Sequence, residues 1–100
     1  MWNVSPIKMC NKHLLGEHVE CHMFVGTLNR GRSVRGYIDK GLLEIHTLRE
    51  RHNHLAKEME KRGMKHKSEL PEFEIITLGK INSKENEMEL KKRCEECRKL

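Results

Sequence analysis

The sequence predicts an all-α protein, a compact single-domain bundle of about three main helices with an irregular basic loop. Apolar residues step by three and four through long stretches of the chain, as amphipathic helices require. Only four residues are aromatic, and charged residues (35%) nearly equal hydrophobic ones (36%), a composition short of the β-branched and aromatic runs that sheets use. A length of 100 residues suits one domain, 1–100, with one modest core.

Residues 1–8, MWNVSPIK, read as an extended lead-in, because Pro6 lacks an N–H and pushes Ser5 out of helical geometry. A first helix is expected from about Lys8 to Val25. Leu14, Leu15, Val19, Cys21, Met23, Phe24 and Val25 recur along it at mixed helical spacings, and Gly26 with Thr27 supplies a stop. Residues 26–41, GTLNRGRSVRGYIDKG, set Arg30, Arg32 and Arg35 among four glycines and read as the basic loop. Arginines in such a loop can bend around a phosphate backbone; an ordinary solvated connector is the plainer reading.

From Leu42 to Arg62 the pattern is clearer. Leu42, Ile45, Leu48, His52, Leu55 and Met59 fall on one stripe of a long helix, closed by Lys61, Arg62 and Gly63. His52 lies mid-stripe and reads as a hydrogen-bonded core histidine in preference to a ligand. Residues 65–80 read as a packed connector, with an apolar run from Phe73 to Leu78 too short to classify by period. Asn82, three residues ahead of Glu85, opens a C-terminal helix over 82–100 that carries Leu90, Cys94 and Cys97 at helical spacing.

The formal net charge of +5, with seven histidines besides, points to an anionic partner, of which a nucleic acid is the commonest. No stretch approaches the roughly 20 apolar residues that cross a bilayer, and MWNVSPIKMC has no signal-peptide core. The expectation is an intracellular protein, cytoplasmic or nucleoid-associated, with no membrane partner. Cys10, Cys21, Cys94 and Cys97 then read as small buried thiols. The alternative is a metal site: a C-x-x-C at Cys94 and Cys97, completed by two of Cys10, Cys21, His18 and His22.

On a helix His13, Glu17 and Glu20 share one face, and Gly16 lies between them as a bare patch. Glycine there costs roughly 1 kcal/mol against alanine, so either something approaches closely or a surface glycine is tolerated.

KHLLGEHVE at 12–20 resembles the H-L-x-x-E-x-x-E helix motif of the phage endonuclease V-type pyrimidine-dimer DNA glycosylase/AP lyases. LRERHNHLAKEMEKRGM at 48–64 is similar to the L-R-x-R-x-x-x-L-x-x-E-x-x-x-R-G-[FM] segment of the same family. The resemblance is strongest over 2–64, and the tail after Leu70 shows little of it. It implies a helical bundle without a cofactor, acting on damaged double-stranded DNA. An N-terminal α-amine attacks the sugar C1′, forms an imine and cleaves the backbone by β-elimination. An α-amine, with a pKa near 7.7 to 8.0 against about 10.4 for lysine, is far more often unprotonated at neutral pH.

Carried onto this chain, the resemblance implies Glu20 as the catalytic carboxylate, His13 as a substrate contact and Glu17 as its supporting acid. Trp2 is too bulky to follow a removed methionine, so the nucleophile becomes the amine of Met1. The two helix arginines that hold DNA in the family fall at Val19 and Met23 here, and the aromatic-rich C-terminus is absent. Phosphate contacts are therefore expected from Arg30, Arg32, Arg35, Arg49 and Arg51. Two other readings stand beside this one: a non-catalytic nucleic-acid-binding module of the same fold, and a small zinc-binding protein.

Overall fold

Helices α1 (Asn11–Asn29) and α3 (Leu48–Lys61) frame the molecule in the computed structural model, which describes residues 1–65 and 69–100. Leu14, Cys21, Phe24 and Val25 of α1 join Leu48, Leu55 and Met59 of α3 in one apolar core. Each large side chain buried there contributes roughly 1.5–3 kcal/mol, which is why the apolar spacing decides the fold. The two helices run in opposite senses. Arg62, just past α3, reaches Asn11 at the start of α1, while Arg51 reaches Glu17 and His52 reaches His22 farther along.

The expected helices form, with boundaries moved for identifiable reasons. Gly26 does not stop α1; the Thr27 hydroxyl instead donates back to the Met23 carbonyl at 2.9 Å, and the helix runs on to Asn29. The stop is Gly31, at φ 69°, where the N–H groups of Gly31 and Arg32 donate to the carbonyls of Leu28 and Thr27. That pair of bonds needs a left-handed residue, which glycine supplies without strain. Gly63 closes α3 in the same way, as its position in the sequence predicts. The basic loop is correspondingly shorter and contains a five-residue helix, α2 (Arg35–Asp39). Tyr37 seats α2 on α1 by meeting Phe24 edge-on at 5.0 Å.

The third helix begins at Leu48, not at Leu42. Between them the backbone bonds across to the connector: the Ile45 N–H donates to the Leu78 carbonyl, and the buried Glu44 carboxylate accepts from the Ile81 N–H and the Thr47 hydroxyl. These bonds replace the helical ladder that the periodicity of 42–47 suggests. Leu42 itself is exposed.

Of the connector expected over 65–80, residues 66–68 lie outside the described residues. Beyond them the chain is irregular up to Asn82. Leu70 and Ile81 are buried, but Ile75, Ile76 and Leu78 are exposed, and of the 73–78 run Phe73 alone packs, half-buried, against the core. Helix α4 (Ser83–Arg93) opens as predicted, with the Asn82 side chain accepting from the Glu85 N–H at 3.0 Å. It breaks at Cys94, and a last turn, α5 (Glu95–Arg98), carries Cys97 inward. The tail packs on the lead-in: Asn3 donates to the Ser83 hydroxyl, and Lys8 pairs with Glu87. Among the described residues there is no strand, and no helix long and apolar enough to cross a membrane.

Candidate active site

The lead-in is held by its own apolar side chains. Met1, Val4 and Met9 are all buried, and Pro6–Lys8 form a single 3-10 turn between Val4 and Met9. Asn3 bends the backbone at φ 54°, a region asparagine enters more readily than most residues. Anchoring of the Met1 side chain brings its amine to α1. The amine lies 2.6 Å from Glu20 Oε1 and donates to the Leu42 carbonyl at 2.8 Å. That carbonyl is available because α3 starts late; within a helix it would serve the ladder instead.

Glu20 sits in the middle of α1, its side chain 37% exposed. A hollow of about 280 Å³ opens beside the ion pair, bordered by Met1, Trp2, Glu20, Leu42 and Asn86. A second, of about 230 Å³, lies along α1 and is bordered by Trp2, Lys12, His13, Gly16, Glu17 and Glu20. A methyl group built on Gly16 would meet no atom within 4 Å, so this stretch of backbone is open to an approaching molecule. Chemically, the arrangement is a carboxylate against an amine: it can take a proton from the ammonium group and stabilise positive charge on that nitrogen.

Glu17, one turn earlier on the same face, turns its carboxylate inward. Arg51 forks onto it, Nε to Oε2 at 2.5 Å and Nη2 to Oε1 at 2.9 Å, with Met9 Sδ also 3.3 Å from Nη2. Both side chains are buried, so Arg51 cannot reach a phosphate and serves instead to join α1 to α3. Arg49 is similarly engaged. It donates to the carbonyls of Leu70 and Pro71, lies 3.7 Å from Glu72, and sits over the Phe73 ring at 5.4 Å, fastening the connector. Arg30, Arg32 and Arg35 remain exposed as expected, Arg35 with Asp39 at 3.7 Å. Val19 and Met23 present apolar surface on the solvent side of α1.

His13 borders the same hollow as Glu17 and Glu20, but its ring is engaged elsewhere. Its Nδ1 lies 3.2 Å from Cys10 Sγ and 3.6 Å from Cys97 Sγ, and its ring meets Trp2 edge-on at 6.0 Å. His18 and His22 gather with His52, ring centroids 4.6 to 5.0 Å apart, and His22 Nε2 is 3.2 Å from His52 Nε2. His52 is buried and bonded through Nδ1 to Asn53 Oδ1, the core histidine the sequence predicts. Cys21 is a buried thiol whose pKa is pushed up to about 12, first by burial and then by the Glu17 carboxylate.

Two contributors have no sequence signal. The Leu42 carbonyl is backbone, and no letter in the sequence identifies it. Asn86 donates to the Trp2 carbonyl at 2.9 Å and to the Met1 carbonyl at 3.5 Å, and it lies in a charge-rich tail where no local pattern marks it.

Compared with known proteins, residues 1–72 match the family model for pyrimidine dimer DNA glycosylase. Nothing matches among curated proteins or among solved structures.

Proposed function

The chain belongs to the pyrimidine dimer DNA glycosylase family, and from that premise we propose that it is a metal-independent DNA glycosylase/AP lyase whose nucleophile is the Met1 amine. The substrate is damaged double-stranded DNA, and the setting of the work is intracellular. The observation that carries this reading is the 2.6 Å approach of the Met1 amine to Glu20 Oε1 beside an open hollow.

Glu20 accepts a proton from the ammonium group, freeing the nitrogen lone pair. The nitrogen attacks C1′ as the bond from C1′ to the damaged base breaks, the base leaving with the bonding pair. The nitrogen then loses a proton to the departing base. Glu20 returns its proton to O4′ as the C1′–O4′ bond breaks, the nitrogen lone pair forms the imine, and the regenerated Glu20 carboxylate stabilises its positive charge. Loss of a C2′ proton then drives β-elimination: the C3′–O3′ bond breaks, and the phosphate leaves with that pair. The Leu42 carbonyl and the Asn86 amide keep the nucleophile from wandering, and such positioning is a large part of the rate of any bimolecular step. Arg30 and Arg32, with Arg35, hold phosphates, and the bare backbone at Gly16 admits the strand.

Incubation with abasic-site DNA and borohydride tests the chemistry. A covalent protein–DNA adduct is expected, and its complete absence at high enzyme concentration overturns the proposal. An added residue ahead of Met1 is expected to stop trapping. Glu20→Gln is expected to lower turnover by about 10²- to 10⁴-fold with the fold intact, because Glu20 is partly exposed. Salt-sensitive DNA binding with no trapping identifies a binding module of the same fold instead.

A further inference from the structure

Three thiols and an imidazole converge where the two ends of the chain meet. Cys10 Sγ, His13 Nδ1 or Nε2, Cys94 Sγ and Cys97 Sγ all lie within 4.8 Å of one another. Cys10 Sγ is 3.9 Å from Cys94 Sγ, and His13 Nδ1 is 3.2 and 3.6 Å from the sulfurs of Cys10 and Cys97. In a tetrahedral zinc site, Zn–S near 2.3 Å and Zn–N near 2.0–2.1 Å place sulfurs about 3.8 Å apart and a sulfur about 3.5 Å from the nitrogen. The observed separations straddle those edges. A disulfide, by contrast, needs sulfurs about 2.05 Å apart, and all four cysteines are free thiols.

The local backbone points the same way. Cys10-x-x-His13 and Cys94-x-x-Cys97 each span a helix start: Cys10 is the residue before α1, Cys94 the residue before α5, and neither side chain caps its helix. The tail helix breaks at Cys94, φ −123° and ψ 111°, although LKKRCEECRKL contains neither proline nor glycine. Local sequence therefore gives no cause for the break, whereas ligation of Cys94 together with Cys97 does. The Cys10 N–H donates to Cys97 Sγ at 3.2 Å, the kind of bond that steadies a thiolate ligand.

We propose that Cys10, His13, Cys94 and Cys97 form a structural zinc(II) site that ties the C-terminal tail to the lead-in behind Trp2. Three cysteines and one histidine are a closed structural donor set, with no position left for a reacting water. Binding releases the three thiol protons to solvent. His13, implied by family resemblance as a substrate contact, is here a ligand. Cys21, weighed as a ligand from the sequence, lies outside the cluster. The site lies partly beyond the residues that match the family, since Cys94 and Cys97 follow residue 72. Its role is mechanical: α4 carries Asn86, whose bonds to Met1 and Trp2 hold the amine, and the metal fixes the end of that tail.

The metal content of the full chain, purified in reducing buffer without added zinc or chelator, tests this without reference to catalysis. About one zinc per chain is expected, with cobalt(II) replacement giving the strong visible bands of a tetrahedral thiolate site. Cys94→Ser and His13→Ala are each expected to lower the zinc content and change the cobalt spectrum, while Cys21→Ala retains both. Stripping the zinc is expected to lower the melting temperature, and restoring zinc to recover it. A stoichiometry well below one that zinc added to the reduced protein does not raise overturns the proposal. So does a Cys10–Cys94 disulfide in the freshly purified protein. Failure of borohydride trapping leaves the metal result unaffected, so the two proposals fall separately.

Discussion

Asn86 Nδ2 donates to the Trp2 carbonyl at 2.9 Å, joining a helix of the C-terminal tail to the residue next to the candidate nucleophile. The same amide reaches the Met1 carbonyl at 3.5 Å. Asn86→Ala removes both bonds, at a cost to stability of about 1 kcal/mol. The larger expected effect is on chemistry: a slower imine-trapping rate by about 10- to 100-fold, since displacements of an ångström cost that much. Trapping rates at saturating abasic DNA check it, with DNA affinity expected to change little.

Glu17 and Glu20 are one turn apart and are expected to respond oppositely to the same change. Glu17→Gln leaves the buried Arg51 charge without its carboxylate and is expected to cost about 3–5 kcal/mol of stability. Glu20→Gln is expected to cost under about 1 kcal/mol, because the Glu20 side chain is itself 37% exposed, and to lower activity by about 10²- to 10⁴-fold. Urea unfolding of both variants beside their trapping yields makes the comparison.

Gly16→Ala is expected to raise stability by about 0.5–1 kcal/mol, since alanine is the better helix former and its methyl meets nothing. If DNA lies against this stretch of α1, the same variant binds abasic DNA more weakly. Thermal melts and a binding titration at one salt concentration separate the two effects.

The exposed and the engaged arginines are expected to differ in salt dependence. Arg30→Ala or Arg32→Ala should lower the slope of log affinity against log salt by about one with little change in melting temperature. Arg49→Ala should lower the melting temperature instead, because that side chain holds the connector.

Cys21 sets a dependence on alkaline pH. Its folded pKa, about 12, exceeds the ordinary thiol value of 9.0, so the unfolded chain loses this proton first. The stability contributed by the neutral buried thiol is complete below pH 9 and is lost progressively as pH rises from about 9 to about 12. Urea midpoints across that range check it, Cys21→Ala being expected to flatten this part of the profile. Native-state alkylation of Cys21 at pH 8 should be slow for the same reason.

The sequence by itself determined the helices and their packing faces. Leu48, His52, Leu55 and Met59 repeat at a spacing that has one low-energy solution, an amphipathic helix on a core. Asn82 and Gly63 mark ends by local chemistry that needs no distant partner. The HLLGEHVE segment made Glu17 and Glu20 candidates through its resemblance to H-L-x-x-E-x-x-E, a pattern that is local in the chain. Where a boundary depended on a distant partner, local reading failed. The segment 42–47 keeps helical periodicity but bonds to Leu78 and Ile81, and Arg51, expected to hold a phosphate, is buried against Glu17.

The resemblance pointed to Glu20 as the partner of the amine, but only the tertiary structure decided how each glutamate is engaged. Glu17 and Glu20 have the same chemistry and nearly the same place on α1, and the turn between them sends one to Arg51 and the other to Met1. It likewise decided which cysteines meet, gathering Cys10 and His13 with Cys94 and Cys97 and leaving Cys21 in the core. The reason is physical: contacts between residues some eighty positions apart depend on how buried surfaces fit together, and one-dimensional spacing does not encode that fit.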